Sequence, residues 1–250
     1  MDAVERLRSV VERSRPLSLA RQRLLPLSGP TEHLLPGRGL PRGWVVEVTG
    51  GAGATTLSLA MAAGPARTGS WVACVGFAHL GWEAAEEVGL PLDRVVAVHP
   101  PRAQWSTVVA ALVDAFDLVL CGPEVVPAAG GLRRLQARAR ERGSVVLAVR
   151  GEVSRPLGRS AALPGQVPPP GKGWPVADAR LQVQEARWEG LGDGWGHLGA
   201  RRLVVSVQGR GELSRQRRCE VNLDASGRPG PGRIMGEVAM ATVTPLERAG

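Results

Sequence analysis

Trp44-Val-Val-Glu-Val48 runs directly into Thr49-Gly-Gly-Ala-Gly-Ala-Thr-Thr56 in this 250-residue chain. The first segment is almost entirely apolar and predicts a buried strand, and the apolar residues from Leu57 to Ala63 predict a helix after the turn. A strand, a glycine-rich turn and a helix form an arrangement that binds phosphate. The glycines let backbone N–H groups point inward, and the helix N-terminus carries a partial positive charge. The segment therefore predicts an α/β fold built around a phosphate-binding type of turn.

This turn departs from the P-loop pattern G-x-x-x-x-G-K-S/T. Counting from Gly53, the first glycine of the pattern falls on Val48 and the lysine on Ala54, whereas Thr55 occupies the hydroxyl position. Phosphoryl transfer depends on positioning and charge, so losing the lysine removes on the order of several kcal/mol of stabilisation. The degenerate nucleotide-binding loop consists of Gly50, Gly51, Gly53, Thr55 and Thr56.

Three interpretations of this loop stay open: a purely structural turn, residual nucleotide binding, and slow hydrolysis of ATP with Mg²⁺. We expect the first, and with it no cofactor, no catalytic residue and no bound metal. The protein would then not be an enzyme, and a divergent ATPase is the alternative.

The rest of the chain predicts a mostly parallel sheet with helices on both faces, because short apolar runs alternate with helical patterns. The further predicted strands are Trp71–Val75, Val95–Val98, Leu118–Cys121 and Ser144–Val149, and the predicted helices are Glu83–Val88, Trp105–Ala115 and Gly130–Gly143. Three later strand-like stretches have no helices between them, so we expect antiparallel strands at the C-terminal edge. They are Ala179–Ala186, Arg201–Gln208 and Arg217–Leu223.

The punctuation of the chain by proline and glycine predicts its organisation. Residues 1–42 are expected to form a helix (Met1–Arg15) and an extended arm, residues 43–210 the core, and residues 211–250 a last strand and a flexible tail from Asp224 onward. The segment Arg150–Trp174 is predicted to be a mobile loop. The arm offers four leucines that could dock on a core or on a partner: Leu24, Leu25, Leu34 and Leu35.

The amino-acid composition limits the classes of function that this protein can have. The 31 Lys and Arg against 23 Asp and Glu give a formal net charge of +8, which favours contact with nucleic acid or an acidic protein surface. No run approaches the roughly 18 apolar residues of a membrane helix, and Met1–Ser14 lacks a signal-peptide core. The three cysteines are far apart and lack metal-ligand spacing, which favours a reducing compartment. We expect a cytoplasmic or nucleoid-associated protein with no membrane contact.

Three basic clusters are candidate binding surfaces. Arg155, Arg159 and Lys172 precede Trp174, and basic residues beside a stacking ring suit single-stranded DNA, although a plain flexible loop is the alternative. Two further clusters, on the helix Gly130–Gly143 and near the tail, are either solvated faces or contacts for phosphate or an acidic partner. These candidate partner-binding residues are Arg133, Arg134, Arg138, Arg215, Arg217 and Arg218.

The segment before the turn, Leu34-Leu-Pro-Gly-Arg-Gly-Leu-Pro-Arg-Gly-Trp-Val-Val-Glu47, resembles the lead-in to the P-loop strand of the RecA recombinase family. The segments Gly69–His79 and Glu83–Pro100 follow that family's second strand, helix and third strand without a gap. The resemblance extends from about Leu34 to Gln208, in pattern and spacing rather than in identity. It implies a RecA-like P-loop core.

The departures from that family all affect catalysis. The family's catalytic glutamate falls on Phe77, and its Walker B aspartate falls near Cys121-Gly122. The lysine, the base and the magnesium-side acid are therefore replaced together, which the resemblance links to a loss of ATPase activity. The family's two DNA-binding loops would correspond to Pro123–Gly131 and Gly151–Gly173.

Among RecA-like proteins, the chain is most similar to the small ImuA type, on the segments Val75–Gly89, Trp105–Leu112 and Glu185–Arg210. This resemblance implies an SOS-induced accessory protein in DNA repair and mutagenesis. Such a protein acts in error-prone translesion synthesis as an adaptor for a polymerase-like, ImuB-type partner, with the RecA recombinase and single-stranded DNA as further candidate partners. The alternatives are a SulA-type cell-division inhibitor, a weak single-stranded DNA-binding module and a divergent ATPase.

Overall fold

A computed structural model describes residues 23–77, 79–123, 129–150, 174, 177–191, 196–224 and 233–237. The strands are β1 (Leu24–Pro26), β2 (Gly39–Pro41), β3 (Val45–Thr49), β4 (Val72–Val75), β5 (Val95–Val98), β6 (Leu118–Cys121), β7 (Val145–Arg150), β8 (Ala179–Leu191), β9 (Gly196–Gly209), β10 (Arg217–Asp224) and β11 (Arg233–Glu237). The α-helices are α1 (Ala54–Arg67), α2 (Trp82–Glu87), α3 (Trp105–Ala115) and α4 (Ala129–Arg142).

In the described part of the chain, one sheet contains nine strands in the order β11-β10-β9-β8-β3-β7-β6-β4-β5. The six strands from β8 to β5 are parallel to one another. The pairs β8–β9, β9–β10 and β10–β11 are antiparallel. The predicted α/β class, with a mostly parallel sheet and antiparallel strands added at the C-terminal edge, is confirmed. The strand β3 lies between β7 and β8, so the glycine-rich turn leaves the sheet from its interior.

The two faces of the sheet bury two separate apolar cores. Side chains alternate along β3, so that Val46 and Val48 join the core under α1 and α2, whereas Val45 joins the core under α3 and α4. Helices therefore cover both faces, as the alternating pattern predicts. Among the described helices, none combines the length and apolar character that a bilayer crossing requires.

The N-terminal arm packs on helix α1. Leu25 and Leu34 are buried in the same core as α1, and Leu35 is buried beside them. Contact is close, because a Cβ at Gly64, in the last turn of α1, would lie 2.3 Å from the carbonyl oxygen of Pro26. The docking predicted for these leucines is thus an intramolecular one, and Leu24 is half-buried.

The arm is not simply extended, however. Its strands β1 and β2 pair antiparallel, with Leu25 opposite Leu40, which satisfies backbone groups that the packing on α1 removes from water. Local sequence did not predict this pairing, because the proline-rich segments have weak strand character on their own. The predicted helix Met1–Arg15 lies outside the described residues.

The C-terminal strands extend further than the sequence predicts. The strands β8 and β9 have 13 and 14 residues and form a long antiparallel pair. The tail predicted to be flexible from Asp224 onward contains β11, so that prediction is wrong for residues 233–237. The free edge of β10 supplies the hydrogen-bond partners for β11. The residues of a short segment do not indicate whether such an edge will be beside them, so this strand could not be predicted from them.

The three cysteine thiols should be unreactive in the folded protein. Cys74, Cys121 and Cys219 are all buried. Burial raises the pKa of Cys74 to about 12 and raises the pKa of Cys121 and Cys219 above its ordinary value. At pH 8 the thiols therefore stay protonated, and only the thiolate reacts. We expect no colour development with Ellman's reagent in native buffer and three equivalents in guanidinium chloride. Rapid labelling of the native protein would contradict this burial.

Candidate functional site

The glycine-rich turn joins β3 to α1 and needs glycine at two positions. Gly50 has φ 139° and Gly53 has φ 117°, both in the region that side-chain-bearing residues avoid. The turn also packs tightly against the neighbouring strands. A Cβ at Gly50 would lie 2.8 Å from the carbonyl oxygen of Val183, and a Cβ at Gly53 would lie 2.9 Å from Cδ2 of Leu203. These glycines therefore permit close contact with β8 and β9.

A cation from a distant strand occupies the start of α1. The Nη1 group of Arg201, on β9, donates a hydrogen bond to Oγ1 of Thr56 at 2.7 Å. The same guanidinium stacks over the Trp188 ring, with its carbon 4.7 Å from the ring centroid. Desolvation lowers the pKa of Arg201, and its Nε atom is buried without a hydrogen-bond partner in the described part of the chain. Thr56, the residue after the predicted hydroxyl position Thr55, is thus engaged by the protein itself.

The structure places buried apolar groups where the RecA resemblance locates catalytic ones. Ala54, at the lysine position, is fully buried, and Phe77, at the glutamate position, is buried as well. Cys121 is buried on β6, and Gly122 leaves no room for a side chain, because a Cβ there would lie 2.0 Å from the carbonyl oxygen of Gly76. These positions offer neither a cation nor a carboxylate beside the turn.

A buried acid on the central strand is a feature that the sequence reading missed. Glu47 is only 2% exposed, and its Oε2 accepts a hydrogen bond from Nε of Arg180 at 3.1 Å. Its Oε1 accepts the backbone N–H of Trp174 at 2.9 Å. In the sequence, Glu47 is a single polar residue in an apolar strand. Its hydrogen-bond partners are more than 100 residues away, so the neighbouring residues do not indicate them.

The structure corrects the proposed role of Trp174. This residue is 2% exposed and contacts Trp105 edge-to-face, with ring centroids 6.4 Å apart. Its ring belongs to the core under α3 and α4, so the prediction of a ring available to stack on a DNA base is wrong. The other three candidates of that cluster, Arg155, Arg159 and Lys172, lie outside the described residues.

The arginines predicted to bind a partner lie on separate elements. On α4, Nε of Arg138 donates to Oδ1 of Asp114 at 2.7 Å, and the pair lowers the pKa of Asp114. Arg133 and Arg134 are exposed on the same helix. Near the tail, Arg215 precedes β10, and Arg217 and Arg218 begin that strand. Nη2 of Arg218 donates to Oε1 of Glu185 at 2.9 Å.

A second convergence of charged groups lies at the other end of β3, where the strand begins. Asp178 is buried there, and its Oδ2 accepts the backbone N–H of Val45 at 2.9 Å. Its Oδ1 accepts a hydrogen bond from Nη2 of Arg140 at 3.1 Å and lies 3.3 Å from Nη1 of Arg210. The residues come from four different segments of the chain. Sequence spacing alone therefore gives no signal of this cluster.

Comparison with known proteins gives two matches. The family model described as the MT3502 N-terminal domain matches residues 33–155. The uncharacterized protein Rv3395c of Mycobacterium tuberculosis (strain ATCC 25618 / H37Rv) is 35% identical over 157 residues, which cover 58% of this chain and 74% of that protein. The chain belongs to the Rv3395c family.

The family model spans the segment that carries the glycine-rich turn. Residues 33–155 include β2 to β7 and the four α-helices of the described residues. The turn and the positions of Ala54, Phe77 and Cys121 therefore lie in the segment that the family model matches. Arg201 and Asp178 lie beyond residue 155, on the C-terminal strands or at their start.

Replacing Gly53 by alanine should destabilise the protein by about 1–3 kcal/mol, since the new Cβ would meet Leu203 and the positive φ would be strained. Gly51→Ala is the matched control: nothing lies within 4 Å of its added Cβ, and the change should stay within about 0.5 kcal/mol. Urea denaturation followed by tryptophan fluorescence measures both. Equal stability of the two variants would mean that the turn does not pack against β9.

Proposed function

We propose that this protein is a non-catalytic accessory factor with a RecA-like core that serves as an adaptor for a polymerase-like partner in error-prone translesion synthesis. One observation carries the proposal: the glycine-rich turn is present, but the chain's own side chains close it. Val183 and Leu203 pack on its glycines, and Arg201 binds Thr56. A fold that keeps this turn without the groups for phosphoryl transfer is suited to binding other proteins.

The topology supports the RecA-like interpretation. The turn follows an interior parallel strand, β3, and leads into a helix that packs on the sheet. Strand, turn and helix in this order are what the resemblance across Leu34–Gln208 requires. In open α/β sheets, the crevice beyond the carboxyl ends of the strands is where ligands bind. In this protein, β8 and β9 cover the turn at that end.

The basic surface supports binding to a macromolecular partner. The formal net charge is +8, and exposed arginines such as Arg133 and Arg134 lie on α4. Charge of one sign accelerates association with an oppositely charged surface. On this proposal, the partners are an ImuB-type polymerase-like protein and, secondarily, the RecA recombinase or single-stranded DNA.

A divergent ATPase is the second candidate, and Arg201 is the observation that favours it. This residue brings a positive charge to the N-terminal end of α1, where a P-loop protein has its lysine. However, Arg201 is bonded to Thr56 and stacked on Trp188, so a nucleotide would have to displace it. We therefore rank this candidate below the adaptor.

We expect no saturable ATP hydrolysis by the purified protein, because the cation, the base and the magnesium-side carboxylate are all replaced. A coupled assay of phosphate release, with and without single-stranded DNA, measures this. Thr55→Ala should leave the background rate unchanged. Saturable turnover that Thr55→Ala abolishes would reverse the ranking of the two candidates.

The adaptor function predicts a phenotype. Deleting the gene should reduce ultraviolet-induced mutant frequency to the uninduced background. The Thr55→Ala/Thr56→Ala double variant should restore that frequency, since no phosphoryl chemistry is needed. Affinity purification of the tagged protein from damaged cells should recover a polymerase-like protein. Normal induced mutagenesis in the deletion strain would refute the proposal, and filamentation on overproduction with recovery of a division protein would favour the SulA-type alternative.

A further inference from the structure

We propose that a groove where β3 begins, which we call the arginine groove, binds an acidic peptide segment of a partner protein through its carboxylates. The groove lies at the opposite end of the parallel strands from the glycine-rich turn. It has a volume of about 650 Å³, and its charged lining residues are Arg133, Arg140, Asp178, Arg180 and Arg210. This inference rests on the proposed adaptor function and names the chemistry of the contact.

The exposed charge of the groove is positive, although two buried acids, Asp178 and Glu47, pair with three of its arginines. Four arginines line it against one acid, Asp178, and the side chain of that acid is only 3% exposed. By contrast, the side chains of Arg140, Arg180 and Arg210 are 49%, 52% and 49% exposed. The negative charge therefore lies in the floor, and the positive charges face the solvent.

The arginines are held in place before any ligand arrives. Arg140 and Arg210 are anchored on the Asp178 carboxylate, and the Arg210 guanidinium also lies 4.8 Å above the Trp44 ring centroid. Arg180 donates to Glu47 and to the carbonyl oxygen of Trp174. A guanidinium has five N–H donors, so these bonds leave others for a ligand. Such anchoring lowers the entropy cost of binding.

The arginines of helix α4 divide between two faces. Arg138 and Arg142 pair with Asp114 of α3, and their charges are offset there. Arg133 and Arg140 line the groove instead. Within the described residues, no acidic side chain lies within ion-pair distance of Arg133. This residue is thus the groove cation that is least engaged within the chain.

The lining favours a peptide over single-stranded nucleic acid. Sequence-tolerant binding of single strands uses exposed aromatic rings on which bases stack, and none of the groove's lining residues is aromatic. The Trp44 ring is half-buried and lies beneath Arg210. Guanidinium forks match carboxylates with two parallel hydrogen bonds. The volume falls within the range of about 300–1,000 Å³ that is typical of ligand sites.

The test uses the full-length chain and a fluorescein-labelled hexaglutamate peptide flanked by Gly-Ser, with fluorescence anisotropy at 0.15 M salt. We expect saturable binding of one peptide per chain, and no binding of the same peptide with glutamine in place of glutamate. Arg133→Glu should weaken binding at least about tenfold. This change should leave thermal unfolding unaltered, because Arg133 is exposed. Arg133→Gln, with half the charge change, should give an intermediate loss.

Arg102→Glu is the matched control. Arg102 is exposed in the short turn before α3, and both glutamate variants lower the formal charge from +8 to +6. We expect less than a twofold effect from it. Equal weakening by the two variants would show a diffuse charge effect and overturn the site. Absence of saturable peptide binding would also overturn it, as would a dT15 oligonucleotide that binds more tightly than the peptide and depends more on Arg133.

The outcomes separate this inference from the proposed function. If the peptide does not bind but gene deletion abolishes induced mutagenesis, the groove assignment is wrong and the adaptor proposal stands. If the peptide binds with the expected dependence on Arg133 but deletion leaves mutagenesis normal, the groove remains a peptide site in a protein of another function.

Discussion

The carboxylate of Asp178 is the interaction on which much of the molecule depends. It joins the start of the central strand to α4 and to the end of β9, because it accepts hydrogen bonds from Val45 and Arg140 and forms an ion pair with Arg210. A buried carboxylate is stable only when such donors surround it. Asp178 therefore both attaches the C-terminal strands to the parallel core and fixes the orientation of the arginines around the groove.

The glycine-rich turn has the sequence of a ligand-binding element, but its glycines serve the packing of the fold. Its backbone needs glycine at positions 50 and 53, because Val183 and Leu203 occupy the space where their side chains would be. In an active P-loop the same backbone freedom lets amide groups approach a phosphate. Here the freedom serves close packing, and Arg201 holds the adjacent threonine. A phosphate-binding element and a packing element can thus share one sequence pattern.

The two ends of β3 differ in the same way that the adaptor proposal requires: one is closed and the other is exposed and charged. At the carboxyl end, apolar residues and an internal cation close the site at which a RecA-like protein would bind nucleotide. At the amino end, four arginines remain exposed around a neutralised acid. On the adaptor proposal, the sheet carries a closed turn at one end and a charged surface for a macromolecular partner at the other.

Much of the fold could be predicted from the pattern of apolar and polar residues in short segments of the sequence. The strands beginning at Val72, Leu118 and Val145 are apolar runs at the expected spacing, and their predicted bounds match the structure closely. The missing lysine at Ala54 was equally visible. The strand β11 could not be predicted in the same way. It forms because the edge of β10 offers backbone hydrogen-bond partners, and its own residues show no strand pattern. Trp174 was misassigned for the same kind of reason: a tryptophan among prolines and glycines gives no sign of whether it will be buried.

The sequence by itself determined the class of fold, the position of the turn and the absence of its lysine, because hydrophobic periodicity and spacing are local properties. Only the tertiary structure decided what surrounds that turn and where the groove lies. Arg201 is 145 residues from Thr56 and Asp178 is 133 residues from Val45. Contacts over such separations arise from the order of the strands in the sheet, which no short stretch of sequence encodes.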